Sequence, residues 1–480
     1  MTSAAACGNS ATVNRGVLWL SYGYALLAGL VLGHFLLGIP VQLTDSFGNM
    51  LKLSATWPDL LYGEFTQHGY LRPLLWANLK LFYDLSGGDY FPWFRGVHVA
   101  QVVALVLLFV ALVRPRTWID AAILPFGLAV LFGMHTFSGT VREAFPINTF
   151  MTVLILCFIA AIVALADYRW WNDVLAALLF VAAALTVESG LLVWVIFIGA
   201  RLVGGRGVSR PGAWGLVALL GAYFFVRFAW FDVGSPGLIE RSSGFGFNML
   251  DPDALIDRFG ANPIWFYVYN IVTSVASVLF GEPTAGVFRA TSSVLRGEVE
   301  PSRLVGVVAT TSVTAVVARF AWSRRHVWLS RRFERDDRLV AIFVMVLVAN
   351  AVISYPYTKD LIMSPAGAFF AIAGFVAVRH VLAWLPVRAS RRAAILAVAG
   401  TALVSATWAV RVIGTHVGLR QSAYAGRIEW AYAEGSLANE GIVLTGRDAA
   451  LFRQLRDDAI YGHPPPPPLR PPLVGLMGVD

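Results

Sequence analysis

Residues 16–38 read GVLWLSYGYALLAGLVLGHFLLG, an apolar run without aspartate, glutamate, lysine or arginine. A helix of about 20 apolar residues spans the hydrocarbon core of a bilayer. Similar runs recur along the chain, where hydrophobic residues make up 57% of 480 positions and charged residues 14%. Ordinary soluble domains are about 25% charged. The sequence therefore predicts an all-α fold, a polytopic transmembrane helical bundle.

Eleven apolar runs are assigned as spans, and the arginines orient them. The spans are 16–38, 96–113, 118–134, 147–166, 172–187, 190–203, 213–231, 304–321, 339–355, 361–385 and 393–413. Cytoplasmic loops carry an excess of lysine and arginine, so we expect the arginine-rich segment 323–338 in the cytoplasm. A crossing by the apolar run 264–280 would put that segment outside. We therefore predict that 264–280 is an outer interfacial or re-entrant helix.

The chain divides into three regions. Residues 1–15 are predicted to be a disordered N-terminus, 16–413 a transmembrane domain and 414–480 an extracytoplasmic tail with a proline-rich end. Two long loops of the transmembrane domain, 39–95 and 232–303, are predicted to lie outside. The chain has two cysteines, too few for a disulfide framework. Its net charge of +8 indicates basic cytoplasmic loops rather than a surface that binds nucleic acid.

The predicted topology gathers the few ionisable residues near the spans onto the outer face. They are Asp45, Arg72, Arg142, Glu143, Glu188, Lys359 and Asp360. Such residues are costly at a bilayer edge, so the cluster predicts a functional site. Structural interpretations stay open: a capped hairpin tip at Glu188, a surface pair at Arg142–Glu143 and a neutral turn at Lys359–Asp360. We expect Glu188 to orient a cation, either Lys359 or Arg142.

Four short motifs lie near the outer ends of the predicted spans. They are Leu43-Thr44-Asp45-Ser46 after the first span, Tyr70-Leu71-Arg72-Pro73-Leu74 in the first loop, Thr186-Val187-Glu188-Ser189-Gly190-Leu191 at a hairpin tip, and Tyr357-Thr358-Lys359-Asp360 in a late loop. Together they resemble motifs of the GT-C class of membrane glycosyltransferases. The resemblance covers roughly residues 16–385. Many members carry two adjacent acids after the first span, whereas Asp45 stands alone. A divalent metal would therefore lack a paired acid, and no cofactor is expected.

The resemblance implies an inverting transfer of a sugar from a polyprenyl phosphate to an acceptor outside the cytoplasmic membrane. Asp45 would be the general base, and Arg72, Arg142 and Lys359 would bind the donor phosphate. The supporting residues would be Glu143, Glu188, Asp360, Tyr70 and Tyr357. The partners would be the lipid-linked sugar, membrane lipids and an acceptor that is a protein, a lipid or a polysaccharide, with no nucleic acid.

Three other functions stay open. A transporter would place its charges near the membrane midplane, often within inverted repeats, and the sequence shows no such repeat. The lone Asp45 keeps a non-catalytic lipid-binding or assembly protein open. A polymerase or ligase of the O-antigen type would use outer arginines and histidines. The chain has no P-loop and no HExxH motif, so the sequence gives no support to nucleotide hydrolysis or zinc proteolysis.

Overall fold

The computed structural model describes residues 15–43, 51–63, 71–142, 149–231, 242–244, 247–281, 286–298, 301–388, 391–439 and 443–466. Its helices are α1 Arg15–Leu37, α2 Pro73–Leu85, α3 Tyr90–Val113, α4 Trp118–Gly133, α5 His135–Arg142, α6 Thr149–Ala164, α7 Trp170–Ala184, α8 Leu192–Leu202, α9 Arg210–Phe224, α10 Pro252–Phe259, α11 Ile264–Phe280, α12 Gly286–Leu295, α13 Pro301–Leu329, α14 Arg335–Ile353, α15 Ser364–Arg388, α16 Arg391–Gly426, α17 Glu429–Asn439 and α18 Gly446–Tyr461. Short 3-10 or π turns occupy Lys52–Ser54, Asp59–Gly63, Glu188–Leu191, Phe225–Trp230 and Asp360–Met363. One antiparallel pair, β1 Ser242–Gly244 and β2 Phe247–Leu250, completes the described fold.

The all-α prediction is confirmed, and the long apolar helices fit a multi-pass membrane protein. Six helical stretches in the described ranges are long and apolar enough to cross a membrane, and α4, α6 and α7 are shorter apolar helices. A helix lies in every one of the eleven predicted spans. The count of eleven crossings stays a prediction, because a short helix can end inside the bilayer or cross it.

Glycines bring the first span close to its neighbour. A methyl group at Gly33 of α1 would lie 2.6 Å from Cγ1 of Val99 on α3, and one at Gly29 would lie 3.0 Å from Cγ2 of Val106. Small residues four apart allow two membrane helices to approach closely and gain van der Waals contact. This packing fixes the positions of the end of α1 and the start of α3, between which the first loop runs.

The segment 323–338 lies at the end of the bundle that is opposite the first loop. We call this end, with 323–338, the arginine end. Arg324 donates from Nε and Nη2 to both oxygens of Asp337, at 2.9 and 2.8 Å. Arg379 of α15 donates at 2.8 Å to the carbonyl of Val113, at the end of α3. Arginines at this end therefore bind carboxylates and also backbone carbonyls at helix C-termini, which have no hydrogen-bond partner within their own helix. Cations are favoured near helix C-termini by the helix dipole.

The tail packs on the first loop, at the end of the bundle that we call the loop end. Trp430, Leu451 and Phe452 of the tail share a buried cluster with Trp76 and Tyr83 of the first loop. The proposed boundary at residue 413 falls inside α16, which continues to Gly426. Tail and first loop therefore form one packed layer, because helices α17 and α18 bury their apolar faces against α2.

The helix at 264–280 begins at the loop end and reaches into the bundle. The side chain of Asn270 donates to the carbonyls of Ser243 and Tyr355, and Thr314 of α13 donates to the carbonyl of Leu279. Helices α10 and α11 meet at 97°, the geometry of a broken span or a re-entrant segment. The re-entrant interpretation therefore stays a prediction.

Candidate functional site

The predicted site residues divide by what the structure describes. Asp45, Tyr70 and Glu143 lie outside the described residues, and only the backbone of Arg142 is described, as the last residue of α5. The described side chains are Arg72, Glu188, Tyr357, Lys359 and Asp360. They all belong to segments at the loop end, and they fall into two groups.

The first group is a carboxylate held between two arginines. Arg72 donates from Nη2 and Nε to Oε2 of Glu188, at 2.5 and 3.1 Å. Arg227 donates from Nη1 to Oε1 of the same carboxylate at 3.1 Å and to the hydroxyl of Tyr223 at 2.9 Å. Glu188 therefore orients two cations, and neither is the partner that the sequence suggested. The expected partner Lys359 instead places its ammonium 4.9 Å from the ring centroid of Tyr357.

The backbone of the hairpin tip and of the first loop brings Arg72 to Glu188. The amide of Leu74 donates to the carbonyl of Leu185 at 3.1 Å, which joins the start of α2 to the end of α7. Pro73 occupies the first turn of α2, where its missing N–H costs no helical hydrogen bond. Arg72 therefore sits immediately before α2 and beside the tip.

Gly190 allows the tip to fold tightly. A methyl group on its α-carbon would lie 1.9 Å from the carbonyl oxygen of Ala183, far inside contact distance. The amide of Gly190 donates to the carbonyl of Val187 at 2.8 Å. Only glycine fits this close backbone approach, and the approach turns the chain into the 3-10 turn that carries Glu188.

Two opposing effects set the charge state of Glu188. Burial raises the pKa of this carboxyl, and the guanidinium groups of Arg72 and Arg227 lower it. The arginines prevail, so the pKa of Glu188 lies below its usual 4.5. The Glu188 side chain keeps 24% of its surface exposed, Arg72 keeps 26% and Arg227 keeps 6%. Glu188 is therefore ionised at neutral pH, and its carboxylate is shared by two guanidinium groups.

Arg227 was not among the predicted site residues. It lies inside the apolar run 213–231, which is one of the eleven predicted spans. An arginine within such a run is itself a signal for function, since a cation near hydrocarbon needs a partner. A π turn over Phe225–Trp230 follows α9 and contains Arg227, and π turns inside helices often occur at functional sites.

The second group surrounds residues 357–360. Oδ1 of Asp360 lies 3.5 Å from Nε2 of the buried His135 at the start of α5. Ser243 of β1 pairs with Tyr357 as a short parallel bridge, and its amide donates to the carbonyl of Pro356. Asn270 ties the same strand to Tyr355. The loop 232–303 and the 355–360 segment thus hold each other in place.

The described residues give no metal centre. Nowhere in the described ranges do three histidine, cysteine, aspartate or glutamate side chains come together as metal ligands would. Asp45 and Glu143 stand outside those ranges. The geometry that the structure does provide is a pair of arginines around one carboxylate, which is suited to an anion.

Comparison with known proteins gives no relative: no protein-family model, no curated protein and no solved structure matches this chain. A functional conclusion must therefore come from the site.

Proposed function

We propose that this chain is a GT-C-like membrane glycosyltransferase with about eleven spans. It would transfer a sugar from a polyprenyl phosphate to an acceptor on the extracytoplasmic face of the cytoplasmic membrane, with inversion at the anomeric carbon. The observation that supports this function best is the pair of arginines, Arg72 and Arg227, on the single carboxylate of Glu188.

The charge of this group suits the proposed donor. A sugar linked through phosphate to a polyprenol is a phosphodiester with one negative charge, and guanidinium groups such as those of Arg72 and Arg227 bind phosphate oxygens through paired N–H donors. When the bond between the anomeric carbon and the phosphate oxygen breaks, the phosphate keeps the electron pair and its negative charge grows. A fixed cation beside it then stabilises the transition state more than the bound donor. In this proposal Arg72 and Arg227 thus lower the barrier as well as bind the donor.

The acceptor needs a base. Its oxygen attacks the anomeric carbon while its proton passes to a carboxylate, and we assign this role to Asp45, which follows the first span in the sequence. Arg72 follows in the same loop and lies at the arginine pair. Arg142 and Lys359 are proposed as further phosphate ligands, with Glu143, Asp360, Tyr70 and Tyr357 supporting them.

Donor binding and sugar transfer, measured separately on matched variants, test this function. Asp45→Asn should lower transfer about 10²–10⁴-fold, the usual effect of losing a general base, with donor binding retained. Arg72→Ala should weaken donor binding and slow transfer. Asp59→Asn, in the same loop, and Arg453→Ala, on an exposed tail position, are the matched controls. They should behave as the parent does.

The same assays can overturn the proposal. Transfer by Asp45→Asn at the parent rate would remove Asp45 as the base. A parent protein that binds polyprenyl-phosphate sugars and transfers none of them would favour the non-catalytic lipid-binding function.

A further inference from the structure

A second cation lies on the lipid-facing helix α16, apart from the group around Glu188. Arg411 belongs to the stretch Ala399–Gly426, which is long and apolar enough to cross a membrane. The same helix leaves Leu403 69% exposed, Val410 38% and Ile413 52%. In a membrane protein such a surface faces lipid, so Arg411 lies beside a surface that acyl chains would cover.

Only one nitrogen of Arg411 is used within the described chain. Nη1 donates to the carbonyl of Gly306 at 2.8 Å and to the hydroxyl of Thr310 at 2.7 Å, both on α13. The guanidinium carbon lies 4.5 Å from the ring centroid of Trp408. Nε and Nη2 make no hydrogen bond to the described residues and are not sealed from the surface. Three N–H donors are therefore available in a fixed plane.

The charge of Arg411 is also unbalanced. It has no ion pair within the part of the chain that the structure describes, whereas Arg227 binds Glu188 and Arg379 binds Asp336. A cation beside hydrocarbon is costly unless an anion accompanies it. Both acceptors that hold Nη1 are neutral, so they fix the guanidinium in place without neutralising it.

The position along α16 indicates what the anion is. His416 packs against Phe35 near the end of α1, with ring centroids 5.7 Å apart. Arg411 precedes His416 by five residues, or about 7.5 Å of helix. The guanidinium also contacts Gly306, five residues after the start of α13, so it lies within about two turns of the loop end. Arginines near helix ends extend to the membrane interface. Exposed Leu403 and Val410 continue from there toward the arginine end.

We propose that Arg411 binds the phosphate of an anionic membrane phospholipid whose acyl chains lie along Leu403 and Val410. Basic pockets between membrane helices bind phosphorylated headgroups in this way. The site is distinct from the group around Glu188, although Arg411 lies near His135, whose ring is 3.5 Å from Asp360. The bound lipid would anchor the long helix that carries the tail over the first loop.

Native mass spectrometry of the detergent-solubilised protein, titrated with phosphatidylglycerol or phosphatidylcholine, tests this site. The parent should retain one phosphatidylglycerol molecule in preference to phosphatidylcholine. Inorganic phosphate at the same concentration should not displace it. Arg411→Gln can still donate to Gly306 but lacks the charge, so affinity for phosphatidylglycerol should fall about tenfold.

A second variant leaves the arginine in place. Thr407 lies one helical turn before Arg411, so Thr407→Glu supplies a carboxylate to the guanidinium and should also weaken the lipid complex. Thr407→Gln is its uncharged control and should bind as the parent does. If Arg411→Gln and Thr407→Glu both retain phosphatidylglycerol as the parent does, the proposal that Arg411 binds its phosphate is wrong. Arg411-dependent binding of polyprenyl phosphate without binding of phosphatidylglycerol would overturn it too, and would assign Arg411 to the donor.

Discussion

Arg227 and Arg72 bind opposite oxygens of one carboxylate, although Arg227 lies in the π turn after α9 and Arg72 immediately precedes α2. Arg227 contacts Oε1 of Glu188, and Arg72 contacts Oε2. Each arginine approaches from a different side, so the carboxylate joins the first loop, the hairpin tip and α9. Loss of Glu188 would leave two like charges facing each other, one of them almost fully buried.

Glu188→Gln should destabilise the protein as well as lower its activity. Breaking a buried ion pair on one side costs roughly 3–5 kcal/mol, and the partial exposure of Glu188 places this case near the lower figure. The thermal midpoint in detergent should fall. The control is Glu334→Gln, since Glu334 is an exposed carboxylate that pairs with Arg324 at the arginine end. An unchanged midpoint with no sugar transfer would instead indicate that Glu188 acts directly on the substrate.

The stability of the parent should fall at acid pH in a way that Glu188 explains. The pKa of Glu188 is lower in the folded protein than its usual 4.5, so its contribution is complete above about pH 4.5 and declines as the pH falls toward the folded pKa. Thermal midpoints of parent and Glu188→Gln between pH 7 and pH 3.5 test this. The difference between them should narrow below about pH 4.5, and a difference that stays constant to pH 3.5 would contradict the depressed pKa.

Gly190→Ala should destabilise the hairpin tip. The added methyl group would lie 1.9 Å from the carbonyl oxygen of Ala183, and the backbone must move to relieve the clash. Overpacking of this kind costs about 1–3 kcal/mol. Gly215→Ala is the control, since nothing lies within 4 Å of its added methyl and alanine favours a helix. Thermal unfolding should show a lower midpoint for Gly190→Ala only.

Single cysteines should report on which side the two ends lie. The structure places Ser54 within hydrogen-bonding distance of Asp448, so the first loop and the tail must share one side of the membrane. With Cys7→Ser and Cys157→Ala as background, an impermeant reagent on intact cells should label Ser54→Cys and Ser436→Cys but not Ser330→Cys. If only Ser330→Cys were labelled, the protein would lie in the membrane in the orientation opposite to the predicted one.

The fold was largely predictable because the hydrophobic pattern acts locally. The runs at 16–38 and 96–113 predict helices. Each end of α1 lies one residue from the predicted end, and α3 begins six residues earlier than predicted. The site was less predictable. Glu188 and Arg72 were expected at the loop end, but their direct contact was not, because they are separated by 116 positions.

The sequence by itself determined the class of this protein: a helical bundle with long apolar segments, a basic segment at 323–338 and a polar first loop. Those properties follow from side-chain hydropathy and charge, which each residue carries wherever it lies. Only the tertiary structure decided that Arg227 completes the group around Glu188, that Lys359 lies at Tyr357 instead, and that the tail packs on the first loop. Such pairings depend on how distant helices cross, and the crossing is fixed by packing of many side chains at once, such as Gly33 against Val99.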